Sequence, residues 1–437
     1  MTKTTGPVKK ILISAAALAL VLNIAACGQN SASSAEFKPK LSTETTCQIK
    51  VAGTYSNFES LESEFERFYE YYPNVSLNYV HLDDYENTIS SALMSDEAPD
   101  IFVSATWMLE NEKMNSVIES AEILSDPALD IDLSCIREGA RWSLENGDVI
   151  MLPIFTRTYG MLVNMDIFEK NDLKVPGKYS ELVEVCDKLK AAGYEKPIMG
   201  YNGLSTAAVY YPFAFPFFCD NVIKNPDSVQ SLNSLDNSAG EMMRPALEKI
   251  KAFVDMGYLD PKACSEEIED DYNAVIMRFF EGDVPIMLGS GDMVSGTEKR
   301  ESKSEAFLAN PFKYKFYVFP IGDEGGYFLD SVNLFFSVNK NSANLDMTNE
   351  FIRFLMREKE LGNMAAIKRL STPTNDFSMD EVYSSLEDFP KDRYFSYQET
   401  GLNDAVNKEF RAAAYKVANG EMTVDEAVSA YGSLWEN

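Results

Sequence analysis

Carboxylates are the most abundant reactive groups in this chain: 68 Asp and Glu stand against 39 Lys and Arg, with a single histidine, His81. Two carboxylates can act as acid and base on a glycosidic bond, but among so many any two could be drawn in that role. No G-x-S-x-G elbow, H-E-x-x-H pair or G-x-x-x-x-G-K-[ST] loop occurs, and a hydrolytic triad would have only His81 to draw on. One histidine and no Cys/His cluster argue against a zinc site, and no cofactor is expected. Non-covalent recognition by polar and aromatic side chains is the leading reading, with a glycosidase built on a carboxylate pair as its rival.

Those side chains need elements to position them. "CQIKVAG" reads as a short strand, and Phe58, Leu61, Phe65, Phe68 and Tyr72 recur at helical spacing up to Pro73. "VSLNYV" alternates, while "PDIFVSA" is a continuous apolar run suited to a buried parallel strand. Strands alternating with helices predict an α/β sheet, in which ligands gather beyond the carboxyl ends of the strands. Thr54, Tyr55, Ser56 and Asn57 follow the first strand, and Thr106 and Trp107 follow "IFVSA", so they are site candidates; packing on the core is the other reading of Trp107.

Further along, "GDVIMLPIFTRTYGMLVNMDIFEK" predicts two apolar strands around Pro153. "GKYSELVEVCDKLKAAG" predicts a helix capped by Ser180, with Leu182, Val183, Cys186 and Leu189 on one face and Gly193 as its stop. Gly257 ends another helix, "DVPIMLGSG" and "VNLFFSVN" are strands, and Thr423 with Glu426 forms a capping-box pattern. "YYPFAFPFF", 210 to 218, reads as core in preference to an aromatic subsite floor. A chain of 437 residues is too long for one core of usual size and predicts two domains.

At the other end, Lys3, Lys9 and Lys10 precede an apolar run from Ile11 to Leu22, too short to span a bilayer, and then Ile24, Ala25, Ala26 and Cys27. This resembles a secretory signal closed by a bacterial lipobox, with residues 1–26 removed and Cys27 carrying the lipid. Residues 27–46 are polar, small and aperiodic, as a flexible tether would be. The expected location is the extracytoplasmic face of the cell membrane. The formal charge of −29 would repel a nucleic-acid backbone or an anionic lipid surface. The five other cysteines, Cys47, Cys135, Cys186, Cys219 and Cys264, show no C-x-x-C pair and no disulfide framework.

Taken in order, "APDIFVSA", "GDVIMLPI" running into "YGMLVNMDIFEKNDLKVPGKYSELVEVCDKLKAAG", "VDMGYLDP", "FFEGDVPIMLGSGD" and "FFSVNKNSANLDMTNEFIRFLMREKE" resemble the bacterial extracellular solute-binding proteins of the sugar-binding type, which include maltose-binding protein and feed ABC importers. The resemblance covers nearly all of residues 48 to 436. It implies a periplasmic-binding-protein-like α/β fold of two lobes joined by a three-crossing hinge, with residues 48–153 and 285–328 in one lobe and 154–284 and 329–437 in the other. It also implies a monomer that is not an enzyme, a carbohydrate held in the cleft, and membrane permease subunits as partners. Rival readings are a secreted glycosidase, or a binder of a polyamine or peptide.

Sugar recognition needs aromatic faces for stacking and carboxylate or amide groups for hydroxyl pairs. On that basis the candidates are Trp107, Tyr159, Tyr210 and Tyr211 among aromatics, and Tyr55, Asn57, Thr106, Arg157, Asn202, Asp292 and Asp330 beside them. Arg369 and Ser371, in the loop "KRLSTP", complete the set. With three tryptophans in all, and Trp142 and Trp435 read as packing, a short ligand is expected.

Overall fold

A computed structural model describes residues 36–204, 209–268, 272–376, 379–387 and 389–435. The signal segment and Cys27 lie outside the described residues. Ten strands fall in two sheets: β1 Cys47–Gly53, β2 Val75–His81, β3 Ile101–Ser104, β4 Leu152–Arg157, β5 Tyr159–Asn164, β6 Ile198–Met199, β7 Ile286–Ser290, β8 Tyr314–Tyr317, β9 Phe328–Val338 and β10 Tyr394–Ser396. The first sheet runs β10-β9-β3-β1-β2 with β4 also on β9, and the second runs β6-β7-β5-β8. In the first, β1 is parallel to β2 and β3, so their carboxyl ends emerge together; β9 is antiparallel to β3 and β4.

Strand periodicity explains how the first sheet buries two faces. Val51, Ile101, Val103, Phe336 and Val338 point to one apolar cluster, and Ala52, Phe102 and Phe335 to another on the opposite face. On the first face the helix Glu59–Tyr69 inserts Leu61, Phe65 and Phe68 beside the helices Leu345–Leu355 and Glu358–Lys368. The second sheet has its own core, built from Met161, Leu162, Met287, Leu288 and the helices Tyr179–Ala191, Tyr211–Lys224, Arg244–Asp255 and Asp404–Ala418. The "YYPFAFPFF" stretch opens the second of these helices, with Phe213, Phe215 and Phe218 buried and Pro216 inside it. It is core.

Several local expectations shift in register. The two strands around Pro153 break instead at Thr158, and Pro153 sits within β4 opposite Phe335. Tyr179–Ala191 begins from Lys178 with no side-chain cap, so Ser180 lies inside the helix. Its buried face uses Val185 where Val183 was expected. Gly193 and Gly257 hold positive φ after their helices, and Thr423 and Glu426 form the reciprocal capping box.

Strand pairing divides the chain differently from the expected lobes. β7, placed by expectation with residues 48–153, pairs over five residues with β5, and β8 flanks β5 on the other side. β9 belongs to the first sheet although residues 329–437 were expected in the other lobe. An apolar strand reads the same whichever sheet receives it, so only backbone pairing assigns it. The chain passes between the two sheets at Thr158, again between β8 and the middle of β9, and a third time after Leu370, where core contacts change from the first cluster to Tyr383 and Leu386 in the second.

Residues 37–41, expected within a flexible tether over 27–46, are docked on the first core. Phe37 is 4% exposed, packed edge-on against Tyr71 and Phe354 at ring distances of 5.1 and 5.2 Å, with the Arg353 guanidinium 4.4 Å from its centroid. The Lys40 amide donates to Glu350 Oε1 at 2.8 Å, and Leu41 donates to the Tyr72 hydroxyl at 3.2 Å. One aromatic side chain in an otherwise polar run is enough to dock it. Among the described residues no helix is long and apolar enough to cross a membrane, and the five cysteines after Cys27 are free thiols.

Candidate functional site

The carboxyl ends of β1 and β3 open onto a space walled on the far side by the second half of the molecule. One chamber, about 1180 Å³, takes Thr54–Asn57, Trp107 and Lys368 from the first half and Asp292, Lys299 and Arg300 from the second. A second, about 680 Å³, takes Trp107, Trp142 and Glu110 on one side and Tyr159, Phe215, Tyr397 and Arg411 on the other. Ala105, Trp107, Arg157 and Asn333 line both. They are neighbouring parts of one cleft.

Arg157 and Asp292 form its floor. Arg157 is the last residue of β4, where the strand leaves the sheet, and Asp292 is in the first turn of the helix Gly291–Ser295 that follows β7. Gly291 permits this approach: a Cβ there would lie 3.0 Å from the Tyr383 hydroxyl and 3.3 Å from the Arg157 Cβ. The guanidinium Nη1 donates to Asp292 Oδ2, an ion pair with each side chain about a quarter to a third exposed. Burial works against the Arg157 charge, but Asp292 more than offsets it and holds the guanidinium protonated. Arg157 Nε is buried with no hydrogen-bond partner, and its guanidinium carbon is 6.0 Å from the Tyr159 ring.

The aromatic wall is layered. Tyr159 meets Tyr211 and Phe215 edge-on at 5.9 and 6.2 Å, and Tyr211 stacks on Phe215 at 4.6 Å. Tyr211 itself is 5% exposed and bonds Asn407 Oδ1, so it backs the wall without lining it. Trp107 and Trp142 face this wall from the first half, and Trp142 thus lines the cleft although the sequence reading assigned it to packing. Glu110 Oε1 and Oε2 accept the Asp404 amide at 3.2 and 3.0 Å, joining the two halves at the N-terminus of Asp404–Ala418. Burial pushes the Glu110 carboxyl above the usual range.

Of the residues expected from sequence, Tyr55, Asn57, Thr106, Trp107, Arg157, Tyr159 and Asp292 line this cleft. The others do not line it, and their polar atoms are engaged elsewhere. Asn202 donates to the Pro261 carbonyl at 2.8 Å and to Ser265 Oγ at 2.7 Å, and accepts from the fully buried Tyr210 hydroxyl. That pair is interior structure of the second half. Asp330, 2% exposed, accepts from Arg137 Nη2 at 2.5 Å and from the Tyr394 hydroxyl at 3.1 Å. Ser371 bridges Thr156, backbone to backbone and hydroxyl to hydroxyl at 2.7 Å. Arg369 lines a separate pocket with Phe312 and Tyr314 and donates to Thr297 Oγ1 at 3.0 Å.

Residues not anticipated include Glu110, Asn333, Asn407, Arg411, Glu298, Lys299, Arg300 and Lys303. Asn333 lies in mid-strand and Asn407 and Arg411 in mid-helix, where no local pattern marks a ligand-facing position. Among the described residues no group of three or more His, Cys, Asp and Glu is arranged to hold a metal ion.

A cleft between two α/β halves joined by three crossings is matched at the level of sequence as well. Residues 52–360 match the family described as bacterial extracellular solute-binding protein. The chain belongs to that family. Its fold is also that of solved structures: RafE from Streptococcus pneumoniae without ligand (TM-score 0.66, 18% identity, covering 91% of this chain and 100% of that one), RafE in complex with raffinose (0.65, 17%, 90% and 100%) and the GacH receptor of Streptomyces glaucescens (0.63, 19%, 90% and 100%). No curated protein matches the chain. The solute-binding protein therefore shares with these structures the periplasmic-binding-protein-like fold.

Proposed function

We propose that this solute-binding protein is the lipid-anchored receptor of an ABC importer, taking a mono- or short oligosaccharide into the cleft by closure of its two halves and passing it to a membrane permease. The observation that carries the reading is the composition of the cleft. Trp107 and Trp142 offer ring surface for the C–H face of a sugar, backed by the buried Tyr159 and Phe215, and Asp292, Asn333 and Asn407 line the same cleft to take hydroxyl pairs. Raffinose in the RafE complex and stachyose in a Bacillus licheniformis sugar transporter are the ligands of two proteins of this fold. Closure is driven only by a ligand that binds the closed form better than the open one. Lipid at Cys27 would keep the receptor at the membrane.

Thermal unfolding of the chain from residue 28 onward, against raffinose, stachyose, other mono- and oligosaccharides, amino acids, peptides and polyamines, tests this. A ligand at a hundredfold over its dissociation constant stabilises the folded state by about 2.7 kcal/mol. A saccharide that raises the midpoint and is recovered intact upholds the proposal. A response to polyamines or peptides alone removes the sugar, and a degraded glycan removes the binding role.

A further inference from the structure

Every amide that the first turn of the helix Asp404–Ala418 leaves without an intrahelical partner finds an acceptor, and the acceptors come from both halves. Asn403 caps the helix from within the second half. Its side-chain oxygen accepts the Val406 amide at 3.1 Å, while its own amide donates to Asn233 Oδ1 at 3.0 Å. The Asp404 and Ala405 amides are taken instead by the first half. Glu110 Oε2 accepts the Asp404 amide at 3.0 Å, and the Ala405 amide bonds the same carboxylate. Lys408, one turn on, pairs with the Asp404 carboxylate at 2.8 Å and offsets the repulsion between that group and Glu110. Glu110 follows directly on the turn Thr106–Leu109, which carries Trp107. Asn407 and Arg411 lie one and two turns beyond Asp404 on the same helix face and line the smaller chamber together with Trp107.

A cap divided in this way has a mechanical consequence. The Val406 amide keeps its acceptor however the halves move, but the Asp404 and Ala405 amides keep Glu110 only while the Trp107 turn stands against the helix. A carboxylate at a helix N-terminus is favoured both by charge-assisted hydrogen bonds and by the helix dipole. Separating the halves exchanges those bonds for bonds to water. We propose that Glu110 is a positioning residue for solute capture, a clasp that favours closure and so sets how tightly any solute is held, without touching the solute. This rests on the reading of capture by closure and adds a contribution that is the same for every solute. The apparent affinity of a binding-competent state falls with the fraction of molecules that occupy it, so loss of the clasp weakens all solutes by one common factor.

The test removes the donor and the acceptor separately. Asp404 is the first helical residue and Asn403 before it is extended, with φ −84° and ψ 172°, so Asp404→Pro fits the backbone and deletes the N–H that Glu110 accepts. Asp404→Ala keeps that N–H and serves as its reference. Small-angle X-ray scattering of the chain from residue 28 onward, without solute, is recorded for wild type, Glu110→Ala, Asp404→Ala and Asp404→Pro, with unfolding midpoints alongside to show that each is folded. Glu110→Ala should have a larger radius of gyration than wild type, and Asp404→Pro a larger one than Asp404→Ala. Where raffinose and stachyose bind, Glu110→Ala should weaken both by the same factor, about three- to tenfold, with faster dissociation. A factor that differs between the two sugars would mean that Glu110 touches the solute, and overturns the inference. Superimposable scattering from all the proteins, with a sugar still compacting the wild type, overturns the clasp and leaves closure standing. If neither the substitutions nor the sugars change the scattering, the closure reading falls with it.

Discussion

Arg137 and Asp330 meet at 2.5 Å inside the hinge, and the same guanidinium reaches all three crossings between the halves. Its Nη1 donates to the carbonyls of Thr372 and Thr374 at 2.6 Å, and its Nη2 lies 3.3 Å from Thr156 Oγ1. Thr156 precedes the first crossing, Asp330 lies in the second and Thr372 in the third. Removing one partner of such a pair strands a buried charge, at a cost of about 3–5 kcal/mol. Arg137→Met should destabilise the chain by that order in denaturant unfolding, and Arg137→Met with Asp330→Leu should recover much of the loss. A double variant as unstable as the single one would show that the pair is not the clasp.

The docked segment at Phe37 predicts where a soluble fragment must begin. Phe37→Ala removes a buried ring and should cost about 3 kcal/mol. A fragment beginning at Glu44 should unfold at a lower midpoint than one beginning before Phe37, since it also loses the Lys40 and Leu41 amide bonds. Equal midpoints for the two fragments would mean that the segment is dispensable.

The Glu350 carboxyl accepts from the Lys40 amide at 2.8 Å, from the Tyr72 hydroxyl at 2.6 Å and from Arg353. Burial alone would raise its pKa, but these donors outweigh it and hold it below the usual glutamate value. A carboxyl depressed in the folded state contributes stability that is present above its unfolded pKa and is lost as pH falls through the folded one. Stability of the wild type should therefore fall as pH drops below the ordinary glutamate value of about 4.3. Glu350→Gln should be less stable at neutral pH and flatter over that range. Parallel stability curves for the two proteins would contradict this.

Trp107 and Tyr210 separate the cleft from the interior. Trp107→Ala should lower affinity for the bound solute by about tenfold or more, with a small change in unfolding midpoint. Tyr210→Phe breaks bonds to Asn202 and Asn419 in a buried network and should cost about 1–3 kcal/mol of stability while leaving affinity near wild type. The opposite pattern, with Tyr210→Phe changing affinity, would return Asn202 and Tyr210 to the site.

What sequence alone could determine was local. The period of apolar residues marked Glu59–Tyr69 as a helix and Ile101–Ser104 as a buried strand, because burial of one face imposes that period on the chain wherever the element ends up. The rule that ligands gather at strand carboxyl ends then pointed to Thr54–Asn57 and Trp107, which the fold does bring to one chamber. Tertiary structure alone decided which sheet received β7 and β9, since their apolar faces suit either core and the choice is made by backbone pairing with β5 and β3. It also decided which polar residues face the cleft. Asn202, Asp330 and Ser371 have the side chains of ligand-binding residues but spend them on Tyr210, Arg137 and Thr156. A hydrogen-bonding group is defined by its partner, and the partners of Asp330 and Ser371, 193 and 215 residues away, are chosen by the packing of whole elements.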